Sequence, residues 1–122
     1  MIYSKKQIDL LIVSLEGNVK AFHELMKMSR NLAALESAIK ADDGAIEWLI
    51  KHDAILAIFV NAIEGNKSAI RFLLNKGELV LAATANLVNG DEDAAVWLKN
   101  SGYKHYTELA DSIRGALGRR HD

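Results

Sequence analysis

The sequence has no cysteine, no proline, few aromatic residues and almost no excess charge, with 15 basic side chains against 16 acidic ones in 122 residues. The lack of cysteine excludes disulfides, a thiolate nucleophile and cysteine-ligated zinc, so no redox compartment is demanded. The lack of proline leaves nothing to break a helix from within. A formal net charge of -1 supplies no overall field to draw in nucleic acid or anionic lipid. Long apolar runs are missing too. Residues 55–63 form a run of nine that includes Asn61, well short of the roughly 18 apolar residues a membrane span needs. The N-terminal run 8–15 contains Asp9 and is followed by Glu16 instead of a small-residue cleavage site, so no signal peptide is expected. These absences point to a soluble, cytoplasmic protein.

What is present is a balanced globular composition, half hydrophobic and a quarter charged. It is too apolar for a disordered chain and long enough for one core. The apolar residues also recur. With Gly17, Ala41, Gly65 and Gly90 at the heads of four units, Ala21, Ala45, Ala69 and Ala94 align, as do Leu25, Leu49, Leu73 and Leu98, at spacings of 24, 24 and 25 residues. Leu32, Leu56, Leu81 and Tyr106 form a later column, and Ile39, Ile63, Val88 and Ile113 another. In such an architecture each unit buries its apolar face only by stacking on its neighbours.

Each unit accommodates two helices of about ten residues. In the first, apolar residues fall on one face, as Ala45, Ile46, Leu49 and Ile50 do, while His23, Glu47 and Arg71 occupy the polar face. Asn18, Asp42, Asn66 and Asp91 stand where a side-chain oxygen can cap the first turn, and Gly77 and Gly102 where left-handed backbone can end a helix. The second helices, at 54–63 and 79–88, are apolar nearly all round and need cover on several sides. Ser4 and Gln7 open the first segment at capping-box spacing, and its end, IVSLEGN, parallels VNAIEGN at 60–66, so it is a lone helix of the second kind. Glu108, Asp111 and Arg114 add polarity to the last unit, so both ends resemble solubilising caps of a stack. The expected fold is all-α, an α-solenoid of about nine short helices. Four tandem hairpins near 17–40, 41–64, 65–89 and 90–114 follow a lone N-terminal helix, in one domain over 1–118 with a flexible tail at 119–122.

The stretches GNKSAIRFLLNKGE and LVLAATANLVNGDEDAAVWLKNSG resemble ankyrin repeats, a likeness that covers residues 17–114. The likeness lies in a G-x-x-x-A/V-x-x-L-L-x-x-G second helix and an alanine-rich first helix. Ankyrin units run to about 33 residues with a T-P-L-H signature. The shorter units here, without proline, are similar to ankyrin-type repeats lacking the β-hairpin finger. The resemblance implies a helical solenoid that binds other macromolecules, and it carries no particular contact residue onto this chain.

Catalytic patterns are absent. No serine sits on a G-x-S-x-G elbow, and GNKS at 65–68 lacks the earlier glycine, the GK pair and the leading strand of a phosphate loop. Asp91, Glu92 and Asp93 lack EF-hand spacing and instead complement a helix dipole. His23, His52, His105 and His121 form no i,i+4 pair of the kind that binds zinc on a helix. The expectation is a protein that is not an enzyme, with no cofactor and no metal site.

Trp48, Phe72 and Trp97 recur in one slot of the repeat, where the first unit has Glu24. Stacking would line them into a ladder that either packs the two helix layers together or borders a groove anchoring a peptide. With Glu47, Arg71 and Lys51 on the polar row, they are the candidate contacts for a protein or peptide partner. Nucleic-acid binding through Lys20, Lys27, Lys51, Lys67 and the C-terminal Arg114, Arg119 and Arg120 is an alternative that the balanced charge opposes. A third is self-association through an end of the stack.

Overall fold

The computed structural model describes residues 2–120, and among them the chain forms nine α-helices and no strand. They are α1 (Lys5–Leu15), α2 (Val19–Met28), α3 (Arg30–Ile39), α4 (Asp43–His52), α5 (Ala54–Ile63), α6 (Lys67–Asn75), α7 (Leu79–Val88), α8 (Glu92–Asn100) and α9 (Lys104–Arg119). None is long and apolar enough to cross a membrane. Of the segment expected as a tail, Arg119 belongs to α9, whereas His121 and Asp122 lie outside the described residues.

Local chemistry sets the helix ends. Ser4 and Gln7 close a capping box on α1. Asn18, Asp42 and Asn66 accept from the amides of Ala21, Ala45 and Ala69, and Asp91 accepts from that of Asp93. Left-handed backbone follows the helices at Gly17, Gly65, Gly77, Gly90 and Gly102 and also at Ala41, whose φ is 70°. A Cβ in that conformation costs roughly 1 kcal/mol.

The helices form two layers. Outer helices α2, α4, α6 and α8 each pack on two consecutive inner helices, α2 on α1 and α3 and so on to α8 on α7 and α9. The inner helices α1, α3, α5, α7 and α9 pack in sequence, and α9 then packs on α1, so the solenoid closes into a ring. Hydrogen bonds stitch the seam. The Tyr3 amide donates to the Tyr106 phenol oxygen at 2.7 Å, Ser112 Oγ to the Ile12 carbonyl at 3.3 Å, and Arg119 to the Leu15 carbonyl at 2.9 Å. These bonds join start to start and end to end, so α1 and α9 run parallel.

Closure corrects the expectation of two solubilising caps, because the ends cover each other. The polarity of α1 and α9 has a different cause: no outer helix packs over both of them. Exposed Lys5, Lys6, Glu108 and Asp111 belong to this unroofed pair.

The core follows the repeat columns. Leu25, Leu49, Leu73 and Leu98 point inward from the outer layer and are fully buried, meeting Leu11, Leu35, Phe59, Leu81 and Leu109 of the inner layer. Each such side chain contributes about 1.5–3 kcal/mol. Thr84, inside α7, satisfies its hydroxyl on the Val80 carbonyl.

Candidate binding grooves

Consecutive outer helices do not approach one another, which leaves a groove between each pair with an inner helix as its floor. Trp48, Phe72 and Trp97 each precede a buried leucine by one residue, and the rotation of a helix per residue puts them on a groove wall. Phe72 is 38% exposed, Trp97 40% exposed and Trp48 half-buried. Among the described residues no ring contact joins the three, so they stand in separate grooves and do not form a ladder. Exposed Met26, Ile50 and Leu74 recur on the outer helices as well.

The groove between α2 and α4 is the most developed. Phe22 and Met26 of α2, Ala33 and Ala34 of α3, and Trp48 of α4 line a hollow of about 180 Å³. It continues, through the shared Phe22 and Ser37, into a second hollow of about 210 Å³ bounded by Val19, Glu36 and Lys40. Arg30 closes the first hollow with its guanidinium 5.6 Å from the centre of the Trp48 ring, and His52 packs on that ring at 4.4 Å. In the next groove Lys76 lies 5.4 Å over Phe72. Around Trp97, the hollow of about 250 Å³ is lined by Ile2, Leu79, Val80 and Tyr103.

Glu47, Lys51 and Arg71 are exposed on the outer helices, and Arg71 donates to Ser68 Oγ at 3.3 Å. They lie on different helices or turns and converge on no common centre. Nothing in the sequence marks Arg30 as a groove residue, since its contact with Trp48 depends on how α3 and α4 pack.

At the C-terminal rim of the inner ring, Lys40, Glu64, Asn89 and Arg114 occupy one repeat position, spaced by 24, 25 and 25 residues. Three of them reach back to the preceding inner helix. Lys40 donates to the Ser14 carbonyl at 3.1 Å, Asn89 to that of Ala62 at 3.0 Å, and Arg114 to those of Val88 and Leu87. They satisfy C-terminal carbonyls, and the two cations also offset the negative helix ends. Glu64 cannot donate and accepts from Arg120 at 2.7 Å. That pair spans a cavity of about 560 Å³ lined by Ile63, Val88 and Leu117. Glu92 and Asp111 flank Arg114 at 3.6 and 3.8 Å. Arg114, Arg119 and Arg120 are thus engaged within the fold, and the column spacing could have revealed the role of the first.

Two further polar clusters tie the inner helices together. Glu36, only 3% exposed, accepts from Ser14 Oγ on α1 and from Lys40 Nζ at 3.2 Å. At the opposite rim, burial pushes the Tyr3 phenol far above its ordinary range, helped by Asp53, Tyr106 and Glu78, and burial also raises Tyr106. No protein family, curated protein or solved structure matches this chain.

Proposed function

We propose that the protein is a non-enzymatic, cytoplasmic binding module that holds a peptide or protein segment in the grooves between its outer helices. In this it is akin to the ankyrin-type repeats that its hairpins resemble. The observation that carries the proposal is the placement of Trp48, Phe72 and Trp97 at equivalent points on groove walls, with Phe72 38% and Trp97 40% exposed. Aromatic side chains on rigid helices offer large contact area at small entropic cost, which is why they dominate binding hot spots. Glu47, Lys51 and Arg71 flank the grooves as exposed charges and tune which partner is accepted.

Peptides selected from a displayed random library on the wild-type protein test this. Trp48→Ala, Phe72→Ala or Trp97→Ala should each weaken the clones that use its groove by about 2 kcal/mol, the scale of a hot-spot truncation, while helical circular dichroism stays unchanged. Selected clones indifferent to all three substitutions would refute the groove as the binding surface.

A further inference from the structure

We infer that the groove between α2 and α4 selects acidic segments, seating an apolar side chain beside Trp48 and a carboxylate on Arg30. This rests on the grooves being binding sites. Arg30 is the first residue of α3, where the positive end of that helix's dipole disfavours a cation, so α3 itself gives no reason for an arginine there. It is exposed and has no ion pair among the described residues. The Trp48 ring holds its guanidinium at 5.6 Å. Arg30 makes no hydrogen bond or ion pair through its N–H groups among the described residues, and a guanidinium grips a carboxylate through two such hydrogen bonds.

The surroundings reinforce one sign of charge. Lys27 ends α2, and Lys51 and His52 end α4; alternate helices run the same way, so these groups gather at the Arg30 end of the groove. Lys27 and Lys51 are exposed and likewise unpaired among the described residues. Asp53, held by Asn31 next to Arg30 in the chain, is buried and caps α5 through the Leu56 amide. Asp42 and Asp43 stand at the far end of α4, while Glu24 and Glu47 lie midway along their helices. Beside Trp48 the groove is therefore mainly apolar, with Phe22, Met26, Ala33 and Ala34 around Ser37, and it is cationic at the Arg30 end. The hollow around Trp97, by contrast, is lined by Ile2, Gly77, Leu79, Val80 and Tyr103, none of them charged.

The decisive experiment selects random displayed dodecapeptides on the wild-type protein, then synthesises the clones whose binding is lost in Trp48→Ala. The expected clones are rich in Asp and Glu. Charge reversal by Arg30→Glu weakens them about tenfold or more, added salt weakens them further, and Lys99→Glu on α8 leaves them unchanged. Trp48-dependent clones that are neutral or basic and ignore Arg30→Glu overturn the acidic preference and leave the grooves as binding sites. Clones that depend on none of Trp48, Phe72 and Trp97 overturn both proposals. Arg30 is exposed, so its substitution leaves the core intact, and an unfolding midpoint that does not fall verifies that.

Discussion

Replacing Tyr106 by Phe removes one oxygen from a fully buried ring, and with it the acceptor for the Tyr3 amide across the seam between α1 and α9. The ring itself and its packing stay in place, so the loss is that of a single hydrogen bond. A net intramolecular hydrogen bond is worth about 1 kcal/mol, and a donor left without a partner raises the cost to about 1–3 kcal/mol. Tyr3 is only half-buried, so water can recover part of this, and about 1.5 kcal/mol is expected. For a domain of this length that lowers the melting temperature by roughly 5 °C. Urea unfolding followed by circular dichroism gives the stability, and hydrogen exchange at the Tyr3 amide gives the local effect, with protection lost there first. The control is the same substitution in a chain trimmed of residues 1–3, where the donor is gone and the cost should shrink to a few tenths of a kcal/mol. An equal cost in trimmed and full-length chains, or full protection of the Tyr3 amide in the variant, would mean that this bond does not hold the seam.

Three other perturbations probe the core, the Ala41 turn and the buried tyrosines. Leu98→Ala, at a fully buried position, should cost about 2–5 kcal/mol in urea unfolding, and more than Trp97→Ala next to it, which removes a larger but 40% exposed side chain; the reverse order would make the tryptophan a core residue. Ala41→Gly should stabilise the fold by up to about 1 kcal/mol, because φ at this position is 70° and glycine relieves the left-handed strain at some entropic cost; a lower melting temperature would show that the alanine is not strained. Tyr3 and Tyr106 have folded-state pKa values raised above the ordinary 10.0, so the stability they contribute is fully present below pH about 10 and declines above it, as the unfolded chain sheds protons that the folded one retains. Urea midpoints should fall between pH about 9 and 11, and Tyr3→Phe should flatten that fall.

The sequence carries the local structure and half of the architecture. Asn18, Asp42 and Asn66 cap as their positions suggest, and the leucine column is the buried face of the outer layer, because capping and periodicity are properties of a few neighbouring residues. Closure was not legible. Whether successive units spiral onward or return depends on a small rotation accumulated at every interface, and no single residue encodes it. The polarity of α1 and α9 was visible, but water at an unroofed seam and water at a free end select the same residues. The groove was foreshadowed only in part: Trp48, Phe72 and Trp97 stand out by recurrence, whereas Arg30 joins Trp48 only once α3 and α4 are packed.

Because the five inner helices stand side by side and the last packs on the first, the copy number of the hairpin is fixed by geometry. An open array tolerates one more unit or one fewer, since only its terminus moves. Here each step from one inner helix to the next takes up its share of a full turn, so duplicating a hairpin would drive α9 past α1 and deleting one would leave it short. Either change exposes Leu11, Leu15, Leu109 and Ile113 to water at once. Length variation during evolution or design is therefore confined to the turns between helices, and affinity for a longer partner has to come from the groove walls instead of added repeats.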